Sequence, residues 1–580
     1  MKKTMSEQNI TGFPSIDKPW LKYYSEEAIN VSLPECTLIQ YIKKKNQDNL
    51  YGTALNYYGN RVTYQQFFEY VNRSAASLFS LGIRRGDVVT IAAMHIPETV
   101  YLIYGLNTIG AVANMVYLTS SPKEIADNIK STMSKAFVYL SVIREKIEQI
   151  RDEISNIPII SLNISDSMPW YLKALYRLKF NREQHYIHNE MDYSEFLKLG
   201  VGSTLQQSLL YKKDTPAIIV HTSGTTDTPK GVILSNDNLN AVAVQYYYSS
   251  FKFRRGDSYM DMLPPFLGFG MSIGLHLPLT LGLEVDLYVD LEPAKVVAAL
   301  GKIRPKHFVS GPIIVNKLLE TGKVDLSFLS TFAGGGESLT IEQEQNFNYF
   351  LNECGFNGVY LTGYGMTECG ATLCTGMPGV YREGTLGIPL PKVNAKIINP
   401  ESGHELSYGE VGEICFNAPN VMLGYWNNHE ETENVIKLHK DGKMWLHTGD
   451  LGLITQDGFL QFKGRIKKIY LTKGCDHSVY KLFPLQIEAV LKKLPFVSGC
   501  GVVVVKDKEK INAAIAFVHT TPISEKDIKK TIQDYLSENL PAHEIPKNIL
   551  FLDKIPFTPS GKVDYRALER IAAEQSQYGK

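Results

Sequence analysis

Apolar residues in this chain come in short runs rich in Val and Ile, set off by polar, Gly or Pro text. "VVTIAAM" (88–94), "KAFVYLS", "IPIISLN", "AIIVHTS", "SYMDMLP", "EVDLYVD" and "HFVSGP" are the clearest. Such runs predict strands buried on both faces. Between them the apolar positions switch to a helical period. In "PETVYLIYGLNTIGA", Pro97 stands near the start, where a helix loses nothing by its missing N–H. Strands and helices in alternation predict parallel α/β sheets. Late in the chain the pattern changes. The text turns basic over residues 462–474, and then come "GVVVVKD", "INAAIAFVHT" and the amphipathic "SEKDIKKTIQDYLSENL". The expected fold is α/β: a large N-terminal domain of parallel-rich sheets flanked by helices, residues 1–464, and a small α+β C-terminal domain, residues 465–580.

One periodic segment stands apart. In "SMPWYLKALYRLKFN" (167–181), Trp170, Leu172, Leu175, Tyr176 and Leu178 fall near one helical face, interleaved with Lys173, Arg177 and Lys179. Such a helix either packs on its own protein or lies weakly on a membrane surface.

Composition narrows the class. A chain of 580 residues exceeds what one core supports. Sixty Lys+Arg balance sixty Asp+Glu, so no net charge draws the protein to nucleic acid. Seven scattered Cys, an odd number without a Cys-x-x-Cys pair, point to reduced thiols rather than to a disulfide frame or zinc site. "MKKTMSEQNITGF" has no apolar core after its lysines, so no signal peptide is expected. The most apolar region, 88–118, is broken by His95, Pro97 and Glu98, and reads as buried core rather than a membrane span. A cytoplasmic location is expected.

The first chemistry is in "HTSGTTDTPKG" (221–231). Glycines let backbone N–H groups turn toward an anion, hydroxyls donate to it, and Lys230 adds positive charge. The order differs from the Walker loop, so a nucleotide is expected without ATPase chemistry. Further on, "YLTGYGMTECG" presents Tyr364 and Glu368, "MWLHTGDLG" presents Asp450, and "FKGRIKKIYLTKG" and "IPFTPSGKVDYRAL" follow.

Each piece alone is weak, but their order is specific. The phosphate loop, "GYGMTE", "YGEVGEICFNAPNVMLGYWNN", "HTGDLG", "GRIKK" and "PSGKVDYR" follow one another as in the adenylate-forming superfamily, and "YGNRVTYQQFFEYVNRSAASL" resembles its N-terminal motif. That group holds acyl-CoA synthetases, aryl-CoA ligases, peptide-synthetase adenylation domains and firefly luciferase. The resemblance covers residues 58–568 and is strongest to fatty acyl-CoA ligases.

The resemblance implies ATP-dependent conversion of a carboxylic acid to acyl-AMP, with pyrophosphate released, followed by transfer to a thiol. It assigns Thr222, Ser223, Gly224, Thr225, Thr226 and Lys230 to the phosphates. Gly335, Gly336 and Glu337 of "GGGES" go to the purine pocket, and Tyr364 to the face of adenine. Thr367 is implied near the α-phosphate, Glu368 as the Mg²⁺ ligand, Asp450 on both ribose hydroxyls, and Arg465 near ribose and phosphate. Lys562 is implied as the catalytic cation at the acyl carboxylate and α-phosphate. The C-terminal domain is implied to be mobile, rotating about a hinge near Lys467 between the two half-reactions. Intact Lys562, Glu368 and Asp450 speak against a pure ligand-binding protein.

Two departures bear on substrates. In "LPPFLGFGMSIGLHLPLTLG", the stretch matching the acyl-pocket motif has Phe266, Leu267 and Gly268, and no acid up to Gly270. A free α-amino acid would leave its ammonium unpaired there. Leu267 also stands where many acyl-CoA ligases have His. An apolar acid, most simply a fatty acid, is expected. After Gly474, "CDHSVYKLFPLQIE" is about five residues longer than the resemblance leads one to expect. The thiol is therefore that of CoA or, alternatively, the phosphopantetheine arm of an acyl carrier protein.

Overall fold

The computed structural model describes residues 10–180, 187–202, 210–222, 229–335, 339–466, 470–473, 478–507, 510–520, 525–557 and 563–578. Two large, parallel-rich sheets carry the first part of the chain. In one, Val88–Ala92 lies between Val112–Met115 and Ala136–Leu140, all parallel, and the sheet continues through Ile159–Leu162 to Glu190–Asp192. On its other side Val112–Met115 pairs in parallel with Pro216–His221, which turns back antiparallel into Gly231–Ser235. Every residue of Val88–Ala92 is buried, as its unbroken apolar run requires. The helix Pro97–Ile109 covers the sheet with Pro in its first turn, and Gly110 closes it in the left-handed region at φ 74°.

The second sheet runs in parallel from Thr53–Tyr57 through Glu284–Leu287, Ser258–Asp261, His307–Val309 and Thr331–Gly335 to Leu361–Tyr364. Helix starts follow local rules. Thr63 Oγ1 accepts the Gln66 N–H at 3.2 Å, and the Gln66 side chain accepts the Thr63 N–H at 3.0 Å, opening Tyr64–Ser80 with a reciprocal cap worth about 1 kcal/mol.

A third, antiparallel sheet joins Asn394–Ile398, Gly412–Asn417, Met444–Ile454, Ile436–Leu438 and Leu460–Arg465. Its last strand ends at Arg465, one residue past the expected boundary at 464. Beyond it, Val497–Asp507 pairs antiparallel with Ile511–Thr520, which pairs in parallel with Asn548–Phe551. The helices Pro484–Leu491, Glu525–Asn539 and Tyr565–Tyr578 accompany them, giving the small α+β unit.

Local pattern misses one element. Gly270–His276 is a π-helix that runs into the α-helix Leu277–Leu281. The close approach explains Gly270: a Cβ there would lie 2.0 Å from the Pro264 carbonyl oxygen. Such insertions gather at functional sites. The amphipathic segment forms the helix Trp170–Phe180. Leu172 and Tyr176 are half-buried, while Trp170 and Leu178 remain 82% and 84% exposed, so packing on the protein covers only part of the apolar face. Among the described residues no helix is long and apolar enough to cross a membrane.

Candidate functional site

The phosphate loop joins two antiparallel strands. Its base is clamped at both ends: Thr222 N–H donates to the Lys230 carbonyl at 3.0 Å, and Lys230 N–H donates to Thr222 Oγ1 at 3.0 Å. Ser223, Gly224, Thr225 and Thr226 lie outside the described residues. Lys230 Nζ is ion-paired with Glu431 and lies 5.2 Å from the centre of the Tyr425 ring. Behind the loop, His221 Nε2 lies 2.9 Å from Asn114 Oδ1 and 3.0 Å from Asn128 Nδ2. Burial lowers His221 to about 4, so it is neutral near pH 7 and serves as a structural hydrogen-bonding group.

Glycines set the next wall. Gly335 is opposite Gly363 in the parallel register between Thr331–Gly335 and Leu361–Tyr364. A Cβ on Gly334 would meet Ser310 O and Tyr360 Oη at 1.9 Å each, and one on Gly365 would meet Ala371 O at 1.5 Å. Only glycine permits this backbone packing. Gly336 and Glu337 lie outside the described residues.

Tyr364 ends its strand buried, and its hydroxyl donates to Asp450 Oδ2 at 2.7 Å. Burial and the Asp450 carboxylate hold that hydroxyl well above its usual range, so it stays a donor. Arg465 Nε lies 3.0 Å from Asp450 Oδ1, because the two residues are cross-strand partners in the third sheet. The Thr-Gly turn fixes Asp450: Thr448 Oγ1 donates to Ile414 O at 2.8 Å and accepts the Asp450 N–H at 3.1 Å, with Gly449 at φ 70°. A buried carboxylate with two separate oxygens suits a vicinal diol.

Glu368 sits in the 3₁₀ turn Thr367–Cys369 and is buried. Its Oε1 accepts the Tyr425 hydroxyl at 2.7 Å, and its carbonyl accepts Met422 N–H at 2.8 Å. Among the described residues nothing donates to Oε2. A held carboxylate with one unclaimed oxygen fits a hard cation such as Mg²⁺.

Beside Tyr364 lies a cavity of about 220 Å³. Gly335, Tyr364 and Thr367 line one part, and Tyr246, Phe251, Phe253, Tyr259, Leu277 and Val309 supply an apolar remainder. Leu267 and Gly268 also line it. Phe266 stands behind Tyr117, with ring centroids 4.9 Å apart, and faces a neighbouring groove. The structure thus brings together Thr222, Lys230, Gly335, Tyr364, Thr367, Glu368, Asp450 and Arg465. Lys467 and Lys562 lie outside the described residues. Sequence reasoning left Tyr425 and Glu431 without a role, although Tyr425 stands inside the "GYWNN" text. The aromatic wall from Tyr246, Phe251 and Phe253 carries no local signal at all.

The family model described as AMP-binding enzyme matches residues 43–426, and the one described as AMP-binding enzyme C-terminal domain matches residues 486–562. A long-chain-fatty-acid–CoA ligase of Bacillus subtilis (strain 168) is 26% identical over 564 residues, covering 95% of this chain and 97% of that protein. A probable CoA ligase, CCL5, of Humulus lupulus is 29% identical over 536 residues, covering 89% of each. Among solved structures, the anthranilate CoA ligase AuaEII in complex with anthranoyl-AMP superposes with TM-score 0.81 at 20% identity, covering 95% of this chain and 99% of that one. ATP-bound MatB from Rhodopseudomonas palustris gives TM-score 0.78 at 22% identity, covering 92% and 99%.

Proposed function

The chain belongs to the AMP-binding enzyme family and is an AMP-forming acid–thiol ligase that works with ATP and Mg²⁺, and on that premise we propose that its acid is apolar, of fatty-acyl type, and its thiol that of CoA. The observation that carries this reading is the apolar lining of the cavity beside Thr367 and Tyr364, with no charged side chain among its described residues. A carboxylate at the Thr367 end would leave its tail among Tyr246, Phe251, Phe253 and Leu277, where each buried methylene contributes about 0.8 kcal/mol.

In the first half-reaction a carboxylate oxygen attacks the α-phosphorus, the bond to pyrophosphate breaks, and acyl-AMP forms. In the second the thiol sulfur attacks the acyl carbon, the C–O bond to AMP breaks, the thiol proton leaves to solvent, and thioester and AMP result. We assign the phosphates to Thr222, Ser223, Gly224, Thr225, Thr226 and Lys230. Gly335, Gly336 and Glu337 take the purine, and Tyr364 supports it. Thr367 faces the α-phosphate, and Asp450 and Arg465 hold the ribose. Glu368 would hold Mg²⁺, which neutralises triphosphate charge. Lys562 is assigned to the charge that develops at the acyl carboxylate and α-phosphate. The division into 1–464 and a mobile 465–580, hinged near Lys467, belongs to the same reading, as does a cytoplasmic location.

The extended text after Gly474 leaves a second acceptor open, a carrier-protein phosphopantetheine arm. A panel of carboxylates with ATP, with and without CoA, scored for acyl-AMP and acyl-CoA, tests both. Acyl-CoA from octanoate- to palmitate-sized acids is the expected result. Acyl-AMP that CoA never consumes would move the acceptor to a carrier protein, and a preference for an α-amino acid would overturn the substrate class.

A further inference from the structure

The helix Trp170–Phe180 exposes what a soluble surface usually hides. Trp170 is 82% exposed, Leu175 61% and Leu178 84%, and Tyr171 is half-exposed. The apolar surface does not stop at the helix. Leu172, Leu175 and Tyr176 line an open groove of about 780 Å³ together with Leu118, Val142 and Leu291. Val142 and Leu291 are themselves exposed. The groove shares the Phe266–Tyr117 pair with the catalytic cavity as a common wall. Contiguous apolar surface of this kind marks an interaction site rather than scattered exposure.

The charge pattern selects the occupant. Within Trp170–Phe180 the sequence has three basic residues, Lys173, Arg177 and Lys179, and no acid. Lys173 is partly engaged, with Nζ 3.6 Å from Asp166 Oδ1, and at the groove rim Lys295 pairs with Asp290. Aromatic residues at the helix start, apolar residues beyond them and a local excess of positive charge are what a helix lying in an anionic lipid interface needs. Trp and Tyr sit at the headgroup level, Leu reaches the acyl boundary, and Lys and Arg meet phosphate.

We propose that this face, the helix Trp170–Phe180 with its adjoining groove, docks the enzyme peripherally on an anionic membrane surface. The docking does not depend on the catalytic reading, and its binding measurement uses neither ATP nor acid. The full chain is sedimented with vesicles of phosphatidylglycerol and phosphatidylcholine in equal parts, and with phosphatidylcholine alone, at low and high salt. Binding to the anionic vesicles, weakened by salt, with a blue shift of Trp170 emission, is expected. The exposed triple variant Trp170→Ser/Leu175→Ser/Leu178→Ser should lower the vesicle partition coefficient about tenfold or more. Its melting temperature and its activity on a soluble short acid should match those of the parent, which separates docking from folding. A parent that stays in the supernatant with anionic vesicles overturns the proposal, as does a triple variant that binds equally well. A parent dimer that the triple variant dissociates would also overturn it, since a second copy would then be what covers the face.

Discussion

Asp450→Asn tests the ribose assignment most directly. The carboxylate accepts Tyr364 Oη on one oxygen, at 2.7 Å, and lies 3.0 Å from Arg465 Nε on the other. Asn keeps the shape but has one acceptor. If its oxygen serves Tyr364, its amide confronts Arg465, donor against donor. Arg465 is 52% exposed and can turn to water, so the folding cost is that of a surface pair, about 0–1 kcal/mol. The binding cost is larger. A hydroxyl bonded to a charged acceptor is worth about 1.5–3 kcal/mol, against about 0.5–1.5 kcal/mol for a neutral one. The parent should therefore prefer ATP over 2′-deoxy-ATP by about 10- to 150-fold, and Asp450→Asn by only about 2- to 12-fold. The assay is carboxylate-dependent exchange of pyrophosphate into each nucleotide, with the ratio of kcat/KM values as readout, so that a general loss of activity cancels. A variant that keeps the parent's ratio while melting normally would refute the placement of ribose at Asp450.

Other expectations follow from the same geometry. Glu368→Gln leaves one oxygen, the one Tyr425 claims, so the Mg²⁺ needed for half-maximal adenylation should rise while the melting temperature holds; an unchanged Mg²⁺ titration would remove Glu368 as the ligand. Lys562→Ala should slow acyl-AMP formation about a hundredfold or more and largely spare thioester formation from supplied acyl-AMP. Equal slowing of both steps would count against a small domain that alternates between them. Glu98 is 97% buried in the helix Pro97–Ile109, its Oε1 accepts Ser167 Oγ at 2.5 Å, and burial raises it from 4.5 to about 7. Its folded pKa thus exceeds the unfolded one, so the native state binds the extra proton and stability falls as pH rises from about 4.5 to 7. Glu98→Gln should be near neutral at about pH 5 and stabilising by up to about 3 kcal/mol at about pH 8; melting curves at both pH values would expose the opposite trend if the carboxyl is ionised without cost.

Periodicity and motif order made much of this protein legible in one dimension. The buried run at Val88–Ala92, the Pro-started helix Pro97–Ile109 and the small α+β unit with Val497–Asp507 and Ile511–Thr520 all appear where the apolar pattern puts them. Backbone burial and helix caps depend on neighbours within a few residues, and those are written consecutively. The likeness to adenylate-forming enzymes was legible too, because its motifs are short and ordered. Only the tertiary structure decided which groups meet. Asp450 joins Tyr364 across 86 residues, Glu368 joins Tyr425 across 57, and Lys230 joins Glu431 across 201. Sheet register and crossing loops set those pairs, and no local spacing encodes them. The same holds for the π-helix Gly270–His276, which answers to a Pro264 carbonyl, and for the aromatic wall drawn from Tyr246, Phe251 and Phe253. It holds equally for the helix Trp170–Phe180. Its amphipathic period was plain in the sequence, but whether another layer of the protein would cover Trp170 and Leu178 depended on what the fold placed beside them, and it placed nothing over them among the described residues.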